Sequence, residues 1–187
     1  MGIVLASQSP RRQELLRRIV PSFKVQAADI NEEVQPGITP REYVQNMASE
    51  KAASIFEQFP EDRVIGCDTI VVYEDEIIGK PTSREHAFQI LKKLSGQTHM
   101  VYTAVVVMEE GRTSSMIVPA EVEFFTLSDQ EINAYLDTDE YKDKAGAYGI
   151  QEQGALLVKG IMGDYYSIMG LPIAALSRML NYEYEQL

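Results

Sequence analysis

The sequence predicts an α/β fold with a mixed sheet and flanking helices, and three observations carry that prediction. In the first half, short apolar runs of strand length alternate with segments of helical spacing. In the second half, two long β-rich runs face each other across Glu110-Gly111 as a hairpin. No internal repeat, low-complexity tract or obvious linker interrupts the chain, and 187 residues suit one domain spanning 1–187, with two lobes of one fold left open.

Taken in order, Ile3–Ala6 is an apolar run that reads as a buried strand. It leads straight into Ser-Gln-Ser-Pro and a helical pattern through Leu15, Leu16 and Ile19. Ser9 suits the N-cap and Pro10 the first helical position, where its missing N–H costs nothing. Phe23–Ala27 reads as a second strand, and Asn31–Pro40 as a polar loop. Arg41–Phe59 carries helical spacing through Tyr43, Met47, Ala48, Ala52 and Ile55. Arg63–Tyr73 is β-rich, Glu76–Ile78 returns as a short strand, and Ser83–Leu94 is a helix closed by Ser95-Gly96. Thr98–Met108 and Thr113–Thr126 form the hairpin. Ser128 and Glu131 make a capping box that starts a helix over Ser128–Thr138. Leu156–Ile161 reads as a strand and Pro172–Leu180 as the last helix.

Composition narrows the function. The chain is 45% hydrophobic and 24% charged, as an ordinary globular protein is. No stretch approaches the ~20 apolar residues needed to span a bilayer, and no signal-peptide pattern opens the chain. The single cysteine, Cys67, has no internal partner, and together these features predict a cytoplasmic protein with no membrane partner. A formal net charge of −11 argues against nucleic acid, whose binding rests on phosphate neutralisation. A small polyphosphate needs only a local cluster of Lys and Arg, with a divalent cation to screen nearby carboxylates.

Five constellations could carry chemistry. Ser7-Gln8-Ser9-Pro10-Arg11-Arg12 joins a strand to a helix N-terminus, where unpaired N–H groups, the helix dipole, two hydroxyls and two guanidinium forks suit phosphate oxygens. The alternative is a capped helix with solvated arginines, although cations in a first turn disfavour the helix itself. Asp68-Thr69 lies inside the apolar run Val64–Val72, where a carboxylate is costly unless it is paired or binds a metal. It would hold Mg²⁺, orient water, or serve as a hydrogen-bonded structural Asp at a strand bend. Gly66 beside it permits close approach by another group. Asp29-Ile30-Asn31-Glu32-Glu33 is either a source of hard oxygen ligands or a solvated acidic loop. Lys51, Lys80 and Lys144 sit at segment edges, as surface lysines or as the positive charge that a polyphosphate needs. The glycine-dense stretch from Gly146 to Gly154, with Gly160, Gly163 and Gly170 beyond it, is either a close backbone approach to a ligand or a set of tight turns. Within it the Gln151 amide could pair with a base edge. There is no Walker loop and no Gly-x-Gly-x-x-Gly. The two histidines, His86 and His99, lack zinc-ligand spacing, and Cys67 reads as packed in its strand.

These pieces, in this order, resemble the Maf family of nucleotide pyrophosphatases over nearly the whole chain. The matching stretches are Leu5 to Leu16, Gly66-Cys67-Asp68-Thr69, Gly79-Lys80-Pro81, Leu94 to His99, Lys144 to Gln151 and Gly170-Leu171-Pro172. The resemblance implies a fold related to the inosine triphosphate pyrophosphatases, with two lobes around a cleft. It implies cleavage of a nucleoside triphosphate between the α and β phosphates, using Mg²⁺ or Mn²⁺. Ser7 or Ser9, Arg11 and Arg12 match its phosphate-binding residues, Glu32 its metal-site glutamate, and Asp68 its catalytic aspartate, which would also hold the metal. Asn31 stands where Asp is common, so one carboxylate is missing there. Lys51 and Lys80 match supporting lysines, Gln151 matches the specificity glutamine, and Thr69 follows the catalytic aspartate in the same motif. The Lys144–Gln151 stretch is similar to the branch that prefers dTTP and UTP, including modified pyrimidine nucleotides. The competing expectations are a non-catalytic nucleotide-binding regulator of septum formation, and a phosphohydrolase that releases orthophosphate. A homodimer is the expected assembly.

Overall fold

The computed structural model describes residues 1–180. Seven strands form one mixed sheet in the order β2-β1-β3-β5-β6-β7, with β4 paired to β3. The described chain falls into two compact units, and strands β3, β5 and β6 contribute segments to both.

The first unit comprises Met1–Asp68, Thr103–Val118 and the chain from Gly170. β1 (Ile3–Leu5) pairs in parallel with β2 (Lys24–Val25) and with the start of β3 (Arg63–Tyr73), placing Val4 opposite Val64 and Leu5 opposite Ile65. The Ala6 amide donates to Ile65 O, so the pairing runs one residue beyond the strand. β3 is buried over most of its length, as expected of a strand covered on both faces. β2 is shorter than Phe23–Ala27 suggests. Both its residues are exposed, Val25 at 40%, so an apolar residue here marks an edge strand and not a core one.

α1 (Pro10–Arg17) starts as expected, with the Arg12 amide donating to Ser9 Oγ and Pro at the first position. It stops before Ile19, and two turns that end on Leu16 O carry the chain to Val20, which is fully buried. α2 (Pro40–Phe56) begins one residue earlier than its apolar spacing indicates, and Pro40 belongs to it and not to the loop. The reason is a capping box: the Glu42 amide donates to Thr39 Oγ1, while the Glu42 carboxylate accepts from the Thr39 amide. α6 (Ile173–Met179) closes this unit.

The second unit comprises Thr69–Tyr102 and Pro119–Met169. β4 (Glu76–Ile78) folds back antiparallel on the end of β3. α3 (Arg84–Leu94) is capped by Ser83, and α4 (Asp129–Leu136) by the expected Ser128/Glu131 box. The two helices pack together. β5 (Thr98–Glu109) and β6 (Arg112–Phe124) are the hairpin strands. β7 (Val158–Gly163) pairs antiparallel with β6 and starts two residues later than the apolar run at Leu156, because Gln153–Leu157 forms a 3₁₀ turn that leaves Leu156 74% exposed. A second 3₁₀ turn at Ala145–Ala147 and the short helix α5 (Tyr165–Met169) have no pattern long enough to read in sequence. Among the described residues no helix is long and apolar enough to cross a membrane.

Candidate functional site

In the first unit the two carboxylates singled out by sequence meet at one cation. Lys51 Nζ lies 2.6 Å from Glu32 Oε1 and 2.7 Å from Asp68 Oδ1. The two acceptor oxygens are therefore less than twice the longer distance apart, although they come from a loop and from the middle of β3. Both the Asp68 and Lys51 side chains are about nine-tenths buried, while the Glu32 side chain is half exposed. Burial opposes the charge on Lys51, but the charge of Asp68 and the hydrogen bonds to Asp68 and Glu32 outweigh it, so the ammonium is held above its ordinary pKa.

Gly66 explains why α2 can deliver Lys51 to β3. A Cβ there would sit 2.3 Å from Ala48 O and 2.7 Å from both the Ala52 amide and its Cβ. Only a residue without a side chain lets the helix backbone lie this close. The approach that Gly66 permits is made by α2, and it sets Lys51, one residue before Ala52, against Asp68, two residues after Gly66. Tyr43, about two turns earlier in α2, donates its hydroxyl to Glu32 O at 2.7 Å and so ties the acidic loop to α2. Burial and the charges of Asp68, Glu32 and Glu50 push that phenol up to about 12, which keeps the donor proton in place.

The α1 N-terminus is built from the expected residues. Ser7 Oγ accepts from the Ser9 amide at 3.2 Å and from Arg12 Nη1 at 3.4 Å. Arg12 Nε donates to Gly170 O at 2.9 Å, and Cys67 Sγ donates to the same carbonyl at 3.1 Å. One carbonyl thus links the first turn of α1 to the residue beside Asp68. Cys67 is fully buried and burial pushes its thiol up, which makes it a packing residue, as its strand position implied. Arg12 is half-buried and turned toward Gly170 O, and Arg11 is half-buried.

The remaining sequence-predicted residues belong to the second unit. Thr69 follows Asp68 in β3 and is half-buried, Lys80 is exposed between Gly79 and Pro81, and Gln151 is half-buried directly after the buried run Gly146–Ile150. At Gly154 a Cβ would meet Gly149 O at 2.2 Å, so the reading of tight turns holds for this pair. The roles of Tyr43 and of the Gly170 carbonyl were not legible. Tyr43 reads as one more apolar position of a helix face, and a carbonyl has no sequence signature.

Among the described residues no group of three or more His, Cys, Asp or Glu is placed to hold a metal. Glu32 and Asp68 together offer two hard oxygens converging on one cation, which fits the way Mg²⁺ binds through one or two carboxylates and substrate phosphates.

The chain matches the model of the Maf-like protein family over residues 2–183. It is 49% identical to a Lacticaseibacillus casei protein named dTTP/UTP pyrophosphatase, over 95% of this chain and 97% of that one. It is 46% identical to a Latilactobacillus sakei protein of the same name, over 95% and 98%. Among solved structures it is similar to the Staphylococcus aureus Ham1 protein, with a TM-score of 0.57, 16% identity and coverage of 97% and 98%. It is also similar to a HAM1 protein from Coxiella burnetii, with a TM-score of 0.52, 15% identity and coverage of 98% and 100%. These structural likenesses bear out the mixed α/β fold.

Proposed function

The chain belongs to the Maf family, and from that premise we propose that it hydrolyses dTTP and UTP, with modified pyrimidine nucleotides as further substrates, to the monophosphate and pyrophosphate. The observation that carries this reading is the convergence of Glu32 and Asp68 on Lys51. It gathers acid–base and cation-binding groups at one point that a scaffold has no need of. The relatives named for the enzyme support the same reading over a non-catalytic regulator of septum formation.

In the proposed reaction, water attacks the α-phosphorus in line, a bond forms from the water oxygen, and the bond to the α–β bridging oxygen breaks. The leaving pyrophosphate takes that electron pair. Asp68 orients the water and accepts its proton. Glu32 and Asp68 are the residues that would hold Mg²⁺ or Mn²⁺, which when bound supplies Lewis-acid charge at the phosphate oxygens. Two carboxylates alone make an incomplete shell, so metal and nucleotide bind together more tightly than either does separately. Ser7, Ser9, Arg11, Arg12 and the α1 N-terminus take phosphate oxygens, as does Lys80, and stabilise charge on the leaving group. Lys51 holds Asp68 and Glu32 in place. Thr69 and Gln151 contact the nucleoside, with Gln151 reading the base edge. One Maf-type domain, a cytoplasmic location and a homodimer belong to the same proposal.

The test is a product assay with Mg²⁺ or Mn²⁺ on dTTP, UTP, CTP, GTP and ATP separately. Monophosphate and pyrophosphate, fastest from dTTP and UTP, are expected. Orthophosphate would place the protein in another hydrolase class.

A further inference from the structure

Gln151 sits on a segment fastened on both sides by polar groups that the proposed chemistry does not use. On the N-terminal side, the Gly149 amide donates to Tyr135 Oη at 3.2 Å. The neighbouring Tyr148 hydroxyl lies 2.8 Å from His99 Nε2. On the C-terminal side, Glu140 accepts two successive amides, Gln153 on Oε1 and Gly154 on Oε2, each at 3.2 Å. The two shoulders also touch, because Gly154 presses against Gly149 O. Gln151 is therefore the middle of a closed loop.

The side chains behind the loop are ordered by packing. His99, Phe124 and Tyr148 form a mutual edge-to-face cluster with ring centroids 4.8 to 5.5 Å apart. His99 is 1% exposed, and among the described residues its Nδ1 has no hydrogen-bond partner. Leaving a buried polar atom unpaired is costly, and both tautomers leave Nδ1 so. A ring serving packing alone would be better as a hydrocarbon. The other nitrogen, bonded to Tyr148, is what the imidazole adds. Burial holds His99 neutral, with its pKa down to about 4, and raises both tyrosines, so all three groups keep these hydrogen bonds at neutral pH.

We infer that His99, Tyr148, Tyr135 and Glu140 are positioning residues for substrate selection, which hold the Tyr148–Gly154 main chain in one conformation and so set the reach of Gln151 toward the base. The inference rests on the proposed reading of Gln151. The physical need is plain: a glutamine amide offers a donor on one side and an acceptor on the other, so it tells uracil from cytosine only if its backbone is fixed. With the loop closed, the side-chain torsions of Gln151 are the remaining freedom.

The test compares kcat/KM for dTTP and dCTP in the full chain. Gln151→Ala is expected to lower the dTTP/dCTP ratio by ~10-fold or more, the scale for losing a hydrogen-bonded contact to a substrate group. Tyr148→Phe keeps the ring and is expected to lower the ratio ~5-fold, the scale of one net hydrogen bond. Added to Gln151→Ala, it should lower the ratio no further, since a residue acting through Gln151 has nothing left to position. His99→Gln, which restores a group at the Nε2 position, should keep the ratio, whereas His99→Leu should not. If Gln151→Ala collapses the ratio while Tyr148→Phe slows both substrates alike, the inference fails and the reading of Gln151 stands. The inference also fails if the two substitutions multiply. An unchanged ratio in Gln151→Ala overturns the reading and the inference with it. Should the variants not fold, amide exchange on the wild type decides: Gly149, Gln153 and Gly154 are expected to be protected, and exchange at open-loop rates would overturn the clamp.

Discussion

The carboxylate–lysine centre of the first unit and the Gln151 loop of the second are built by opposite means. The first is made of charged side chains drawn from distant segments onto one ammonium, and their spacing depends on a helix pressed against a glycine in a strand. The second is made of main chain, folded on itself, fastened through its own amides to Tyr135 and Glu140 and through the Tyr148 hydroxyl to His99. The difference teaches what each can tolerate. Loss of the shared ammonium in the first leaves the Asp68 carboxylate almost buried without its Lys51 partner, so it threatens folding and chemistry together. Loss of one hydrogen bond in the second loosens a loop and alters choice of substrate more than turnover.

Lys51→Met attacks the first centre most directly. With the Asp68 side chain almost buried, removal of its partner is expected to cost about 3 kcal/mol or more. Chemical denaturation reads this, and added Mn²⁺ should raise the melting temperature of the variant more than that of the wild type. An equal rise in both would show that Glu32 and Asp68 do not share a cation.

The second region is broken by acid. His99 has its folded pKa lowered to about 4 from 6.5 by burial. The unfolded chain therefore takes up a proton first. The stability it contributes is complete above pH 6.5 and is lost as pH falls toward 4, by about 3 kcal/mol over that window. Denaturation of the wild type and of His99→Gln from pH 7 to pH 4 isolates this share, because every other titration is common to both. Parallel curves would contradict it.

Gly66→Ala puts a methyl group into the backbone of α2, with an expected destabilisation of about 1–3 kcal/mol, the range for overpacking. Since it also moves Lys51 off Asp68, kcat should fall well beyond what the loss of folded protein explains. Activity proportional to the folded fraction would mean that the Lys51–Asp68 spacing is not critical. The smallest effect serves as a control in the second unit. Ser128→Ala removes the α4 cap and should cost about 1 kcal/mol, with the dTTP/dCTP ratio unchanged. A changed ratio would show that general loosening of the unit, and not the clamp, governs selection.

What was legible in the sequence divides along the same line. The caps at Ser9 and Ser128 were readable because a cap is a local event, satisfied within three residues. Thr39-Pro40-Arg41-Glu42 carried the same signal, but Pro40 hid it by resembling the end of a loop. Asp68 stood out because a carboxylate in an apolar strand is costly, and Lys51 was a candidate whose pairing with Asp68 and Glu32 only the fold revealed. The glycine-rich stretch was visible as a pattern but ambiguous in meaning. Its fastenings are main-chain amides paired with Tyr135 and Glu140, and neither residue differs in sequence from an ordinary member of α4 or the turn after it. Leu156 misled because an apolar residue does not by itself say whether it is buried in a strand or exposed in a turn.

The central claim is that Asp68, held by Lys51, activates the attacking water. Single-turnover hydrolysis of dTTP by the wild type and Asp68→Asn, with monophosphate and pyrophosphate quantified, tests it most directly. The substitution keeps the shape of the side chain and removes its charge, so kcat is expected to fall at least ~100-fold with pyrophosphate still the product of what remains. Turnover close to wild type would contradict the assignment of Asp68.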